Sequence, residues 1–469
     1  MPLALEDGSR IGVIGGGPAG SLFAYFALTF AQRMDLDLRV DIYEPRDFAK
    51  PGPAGCNMCG GIISESLVQL LALEGIDLPP TVVQRGIDSY VLHTDQESVR
   101  IDTPLREKRI AAVHRGGGPR DVQAVKWGGL DGHLLTLAQQ QGAKVIAERI
   151  NDVAWDDGRP QLCLAGSAQT YDLLVGATGI NSSGWQLFEK LGLRSTRPQT
   201  TKAYVTELNL GSELIARHFG NSMHMFLLDI PRLDCAAIIP KGDFLTVCLL
   251  GREIDRDLIN AFFESPAVKR CFPPTFPPAE GECHCSPKIN ILEATRPFAD
   301  RLVLVGDSGV TRLYKDGIGA AYRTAKAAAR TAVFSGVSAE DFDKHFMPIY
   351  RRIARDNRFG RLIFTVVHGI KLFDLLLRGV LAMAAKEQRR HGARRRMSIV
   401  LWDMFTGSAP YREILFRTLD PRFLGRFMRE SALPAGAGKR WKGGTGHGKR
   451  RAWQGIWRWR SHLPSRGTG

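Results

Sequence analysis

The sequence predicts an α/β protein: a Rossmann-like nucleotide-binding domain, interrupted by an antiparallel β-sheet domain and followed by a helical C-terminal extension. Three observations carry that prediction. Arg10–Ile14 (RIGVI) is an apolar strand running into Gly15-Gly16-Gly17-Pro18-Ala19-Gly20, a buried helix from Ser21, and a second strand, Arg39–Tyr43, closed by Glu44. Ala203–Asn209, Met223–Leu228, Cys235–Pro240 and Phe244–Leu250 read as strands of one antiparallel sheet. Arg301–Val305 (RLVLV) then returns as a buried strand ending in Gly306-Asp307.

The first stretch is a dinucleotide fingerprint with its full context. Gly15 makes the tight turn, Gly17 lets the backbone approach a pyrophosphate, and Gly20 lets the helix pack on the strand. The helix N-terminus faces the phosphate charge, and Glu44 is placed to accept from a ribose hydroxyl pair. Between the two ends, Ser64–Leu73 and Leu130–Gln141 read as helices, and Asp88–His93 with Val99–Asp102 as paired strands. His114-Arg115-Gly116-Gly117-Gly118 is a loop, because no strand-turn-helix pattern surrounds it. Tyr171–Val175 is another buried strand, entering Gly176-Ala177-Thr178-Gly179, and an alanine-rich helix covers Gly317–Phe334.

A chain of 469 residues exceeds one compact core. The pattern divides it into a nucleotide-binding domain (1–184 and 296–335, with an excursion around 60–110), a substrate-covering sheet domain (185–295), a basic helical region (336–433) and a basic tail (434–469). The tail reads as disordered from its composition. The first eight residues carry acids and predict no secretory signal, and no run of 18 uncharged apolar residues predicts a membrane span. Eight cysteines in such a chain argue for thiols or ligands in a cytoplasmic protein rather than a disulfide framework. The net charge is +15, but nine of those excess positive charges lie in the tail, which has no Asp or Glu. Charge therefore says nothing about the N-terminal chemistry, and no nucleic-acid partner is expected.

Taken together, Gly15-x-Gly17-x-x-Gly20 with Glu44, Gly176-Ala177-Thr178-Gly179, and Gly306-Asp307 followed by Asp316-Gly317-Ile318-Gly319 resemble the FAD-dependent oxidoreductases of the geranylgeranyl reductase and p-hydroxybenzoate hydroxylase-like superfamily. The resemblance covers about residues 8–335 and implies a glutathione reductase-type FAD domain. Cys56-x-x-Cys59-Gly60-Gly61 looks like the Cys-x-Gly-Gly turn that geranylgeranyl reductases place beside the flavin. The sequence departs from the hydroxylases: Gly306-Asp307 continues as Ser308-Gly309-Val310, and Leu313-Tyr314-Lys315 stands where proline is usual. It also lacks the Trp-x-Trp-x-Ile-Pro segment of flavin halogenases, which favours the reductase branch.

The resemblance implies that Gly306 and Asp307 meet the ribityl or pyrophosphate side of FAD, although Asp307 also suits a helix cap. Gly317, Ile318 and Gly319 would set a helix N-terminus against the pyrimidine edge, where its dipole favours negative charge on reduced flavin. Lys315 is either a further charge there or a solvated loop lysine. Arg115 either pairs with phosphate or forms a surface ion pair. Cys56, Cys59, Cys283 and Cys285 are expected to converge beside the flavin, with three readings open: a Zn or iron–sulfur site, a redox or catalytic dithiol at Cys56 and Cys59, or inert buried cysteines. Cys163, Cys235 and Cys248 read as core.

In the C-terminal third, Leu362, Val366, Ile370, Phe373, Leu377 and Leu381 recur at helical spacing, with His368, Lys371, Asp374 and Arg378 opposite, predicting one amphipathic helix over Arg361–Ala385. A basic knot, Lys386–Arg396, follows, and the tail interleaves Trp441, Trp453, Trp457 and Trp459 with bases. Such a region suits an anionic membrane surface as well as a cap on the FAD domain. The reading that results is an FAD-dependent reductase of C=C bonds in a hydrophobic, prenyl-type substrate or lipid. The alternatives are an FAD-dependent monooxygenase and an electron-transfer flavoprotein with a cysteine-ligated cluster. One fingerprint provides one dinucleotide site, so the electron donor stays unassigned.

Overall fold

The computed structural model describes residues 3–56, 59–103, 110–120, 122, 124–164, 166–276, 283–389 and 395–432. The basic tail, its four tryptophans and residues 390–394 of the basic knot lie outside the described residues.

The nucleotide-binding sheet has six strands in the order Phe298–Ala299, Leu302–Leu304, Leu173–Gly176, Arg10–Ile14, Arg39–Tyr43, Lys144–Ile146. All pairings are parallel except the Phe298–Ala299 edge. Its strands are apolar on both sides because both faces are covered, one by helices and the other by the three-stranded sheet of residues 152–170 with the short helix Trp185–Lys190. The fingerprint helix, Pro18–Arg33, is buried almost throughout and packs on Gly317–Phe334, whose alanines let the two axes approach. Proline at the first helical position satisfies the geometry of a helix start.

A second sheet runs His284–Cys285, Gln199–Asn209, Phe244–Gly251, Leu233–Lys241, Ser222–Phe226, Ser89–His93, Ser98–Asp102. The 89–102 hairpin joins it through a parallel pairing of Ser89–His93 with Ser222–Phe226. Alternation decides its two faces. Tyr204, Leu208, Phe226, Ile238, Val247 and Leu249 pack on helices around Arg256–Glu264. Val205, Met223, Met225, Ile239 and Cys248 look the other way, toward the C-terminal helices.

That C-terminal region departs from the single helix expected over Arg361–Ala385. Met347–Leu372 is one helix, the chain turns extended at Phe373, and Asp374–Arg389 is a second. The break resets the helical phase, so the predicted stripe does not form one buried face. Leu377 and Leu381 are buried, whereas Leu362, Val366 and Phe373 are exposed. Lys371, expected outside, is buried, and its Nζ donates to the Leu233 carbonyl at 2.8 Å. Ile363, Phe364 and Val367 take the inward positions instead.

Candidate functional site

The site begins at the fingerprint turn. A Cβ built on Gly20 would meet the Gly15 carbonyl at 1.9 Å, so this position tolerates no side chain. One on Gly17 would meet only Arg115 Nη2, at 3.8 Å. Gly17 therefore opens onto space that the protein itself does not fill, at the N-terminus of a 16-residue helix. That is where a pyrophosphate would stand. Glu44, buried at the end of the second strand, accepts the Gly16 N–H at 3.0 Å and the Arg46 N–H and Nε–H at 3.1 Å.

Arg115 reaches this turn from the loop before Leu130–Gln140. Its Nε and Nη2 donate to the two oxygens of fully buried Asp131 at 2.9 and 2.7 Å, a bidentate pair that aims the guanidinium. Burial opposes the Arg115 charge, and Asp131, with Cys59 and Asp307 also in range, more than restores it. Arg115 thus sits among the fingerprint, the Cys-x-x-Cys turn and the Gly306-Asp307 turn.

The Asp307 carboxyl is pushed up by burial, with Arg115 and a hydrogen bond from Thr311 pulling it back. A Cβ on Gly317 would lie 3.9 Å from Asp307 Oδ1, which places that carboxyl beside the N-terminus of the 18-residue helix Gly317–Phe334. Ile318 and Gly319 occupy its first turn, and Asp316, left-handed and pinned by Arg312 and Arg323 at 3.1 and 3.0 Å, caps the position before it. Lys315 does neither of the things expected of it. It is half-buried, and its Nζ donates to the carbonyls of Asp403 and Met404, each at 2.7 Å, over the Tyr411 ring. Those carbonyls belong to the last turn of Arg396–Thr406, which attracts a cation.

The cysteines gather on the sheet side of the same opening. The Cys56 segment packs on the Arg115 loop: a Cβ on Gly116 would come 2.0 Å from the Gly55 carbonyl and 3.2 Å from Cys56 Cα. Gly61 N–H donates to Cys59 Sγ at 3.2 Å, and Arg120 N–H to Cys283 Sγ at 3.4 Å. Cys285 and Cys248 flank Val205 in neighbouring strands and share its face. Burial pushes the Cys56 thiol up, and Glu207 and the Cys283 sulfur push it further. The Cys285 thiol is pushed up to about 12, first by burial and then by Cys59 and Cys283. The metal reading of Cys56, Cys59, Cys283 and Cys285, one of three left open, finds no preformed cage among the described residues. Among the described residues, the group of metal-capable side chains with ligand atoms within 4.8 Å of one another is His93, His224 and Cys271.

Sequence reasoning missed the polar cluster under these thiols. Glu207 is buried with its Oε1 accepting from Thr246 Oγ1 at 3.0 Å, 3.6 Å from His114 Nδ1 and 3.7 Å from Lys241 Nζ. Lys241, also buried, donates to the Cys59 carbonyl at 3.0 Å. Burial pushes the Glu207 carboxyl up, and His114, Lys241 and Thr246 reverse this, holding it at about 2. Burial pushes the His114 imidazole down and Glu207 pulls it partly back, and its ring stacks on Trp127 at 4.4 Å. Glu207 Oε2 and His114 Nε2 are buried with no hydrogen-bond partner. Such atoms cost about 1–3 kcal/mol each unless something satisfies them. A faint signal did exist: Glu207 lies beside the apolar run of Ala203–Val205, and Lys241 follows Ala236–Pro240 at its strand's end.

A glycine turn opening onto unfilled space, an aimed arginine and a strand-end aspartate fit a dinucleotide cofactor. The fold is shared with solved flavoprotein structures. A geranylgeranyl bacteriochlorophyll reductase-like protein from Thermoplasma acidophilum superimposes with a TM-score of 0.60 at 16% identity, over 90% of this chain and 99% of that one. A flavoprotein/dehydrogenase from Cytophaga hutchinsonii gives 0.58 at 14% identity, over 90% and 98%. The halogenase PltM in complex with phloroglucinol and FAD gives 0.57 at 12% identity, over 90% and 96%. No family model and no curated protein matches the sequence.

Proposed function

We propose that the chain binds FAD and reduces C=C bonds of a hydrophobic, prenyl-type substrate. The observation that carries the proposal is the junction of Gly17 and Arg115, Asp307 and Gly317, and the Cys56–Gly61 turn around one opening. Gly15, Gly17 and Gly20 would hold the pyrophosphate with Arg115 as its counter-charge, and Glu44 the adenosine ribose. Gly306 and Asp307 would take the ribityl side, and Gly317, Ile318 and Gly319 the pyrimidine edge. Bound reduced FAD supplies hydride to one alkene carbon.

The other carbon needs a proton, and this chain's residues suit holding one. A Cys56 thiol kept protonated by burial is a poor thiolate nucleophile but remains a proton source, with Cys59 on the same turn. Solvent would return the proton to the thiol, with His114 and Glu207 lining that side of the cluster. The substrate chain would lie along the sheet face of Val205, Ala237, Ile239 and Cys248, which packs against the C-terminal helices in this structure.

Membrane delivery of that substrate is part of the proposal. Among the described residues no helix is long and apolar enough to cross a membrane. Leu362, Val366, Phe373, Leu375, Phe416, Leu419, Leu424 and Met428 are nevertheless exposed on the C-terminal helices, interleaved with exposed Arg412, Arg422 and Arg429. That mixture suits an anionic lipid interface. The test is turnover of a polyprenyl substrate by the FAD-loaded protein with a chemical reductant. Cys56→Ala should lower kcat while leaving FAD bound. An unchanged kcat would remove Cys56 from the chemistry.

A further inference from the structure

We propose that His93, His224 and Cys271 form a binding site for a closed-shell thiophilic cation, Zn(II) or Cu(I), on the sheet face opposite the cysteine corner. The three side chains come from distant segments. His93 ends the strand Ser89–His93, His224 lies in the neighbouring parallel strand Ser222–Phe226, and Cys271 follows the short helix Pro266–Lys269. All three are buried, and their ligand atoms lie within 4.8 Å of one another. His224 pairs in register with Ile238, whose neighbours Ala237 and Ile239 point toward the other face with Cys248. The site is therefore separated from the thiols of the FAD opening by the thickness of the sheet.

The distances suit such an ion. Cys271 Sγ stands 3.7 Å from His93 Nε2. Two ligands at about 2.0–2.1 Å (nitrogen) and 2.3 Å (sulfur) from a tetrahedral ion lie roughly 3.5 Å apart. His93 Nε2 and His224 Nδ1 are 2.9 Å apart and share a hydrogen bond. They would open to roughly 3.3 Å around a metal, a movement of a few tenths of an ångström. His93 Nδ1 is 2.8 Å from Ser98 Oγ, the outer partner that fixes a ligating imidazole and turns its other nitrogen inward. The rings of Phe226 and Phe219 close over His93 and His224 at 4.6 and 4.9 Å. The charges that bear on the pair are Arg270 on His93 and Arg100 on His224. Binding requires the Cys271 thiol, which now donates to the Ala267 carbonyl at 3.4 Å, to lose its proton to solvent. The bound ion would clamp the helical layer to the sheet.

The test uses the full chain with FAD, purified under reductant and reconstituted separately with Zn(II) and with Cu(I). Elemental analysis should find about one ion per chain in one arm, with a higher melting temperature than the chelator-treated protein. X-ray absorption of that sample should give two nitrogens and a single sulfur at about 2.3 Å. Cys271→Ser and His224→Gln should each abolish the ion and the thermal shift, while Cys283→Ser with Cys285→Ser should keep both. Should a buried variant fail to fold, the absorption ligand set of the unaltered protein decides alone. A sulfur-rich shell, loss of the ion only in the Cys283 and Cys285 variant, or no ion in either arm would overturn the proposal.

Discussion

Replacing Gly17 by alanine separates cofactor binding from folding at one atom. Gly17 has φ −68° and ψ −175°, a conformation any residue adopts, and its added Cβ would meet nothing of the protein closer than 3.8 Å. Folding should therefore change by less than about 1 kcal/mol, since lost unfolded-state freedom and a poorer helix cap act in opposite directions. The same methyl would occupy the space of the pyrophosphate. Overpacking a fitted contact costs about 1–3 kcal/mol, which weakens FAD binding roughly 5- to 150-fold. Gly20→Ala is the contrast, because its Cβ would stand 1.9 Å from the Gly15 carbonyl and must disrupt the turn itself. Titration of the flavin-free chain with FAD by fluorescence, alongside thermal melts, measures both quantities. Wild-type FAD affinity in a well-folded Gly17→Ala protein would refute the placement of the cofactor.

Glu207 has a depressed pKa, about 2 against an ordinary 4.5, so its contribution to stability is present above pH 4.5 and is lost as pH falls toward 2. That shift corresponds to about 3 kcal/mol, and Glu207→Gln should lie below wild type by that order near neutrality, with the gap closing in acid urea melts. Asp131→Asn should cost about 2–3 kcal/mol, discounted because Arg115 is 22% exposed at its side chain. FAD should raise the melting temperature of Asp131→Asn more than that of wild type, because the pyrophosphate would supply the missing charge; equal shifts would separate Arg115 from the phosphate. Anionic liposomes should capture the intact protein at low salt, and replacing Phe373 and Leu419 by serine should weaken capture; wild-type binding by that variant would clear the C-terminal helices of a lipid role.

The nucleotide-binding frame was legible because its signals are local. The strand, glycine turn, helix and acid from Arg10 to Glu44 follow one another within a few dozen residues, and each has a steric reason visible in the sequence. The helix break at Phe373 was not legible, because the residues around it have ordinary helical character and the inward face was chosen by the sheet they pack on. Lys315 was misplaced for a similar reason: its partners are carbonyls from a helix almost ninety residues away. The Glu207, Lys241 and His114 cluster is assembled from three separate segments, so no spacing announces it. Two charges adjoining apolar runs were its faint trace. Cys248 read as core, and it is buried in the cluster between the sheet and the C-terminal helices.

The most direct measurement is anaerobic. The FAD-loaded protein is reduced chemically, freed of excess reductant and mixed with a polyprenyl lipid, while flavin absorbance and product mass are followed. The account predicts reoxidation of the flavin by the lipid, with one double bond lost for each flavin oxidised. No reoxidation by the lipid, together with oxygen-dependent formation of a hydroxylated product in air, would contradict it.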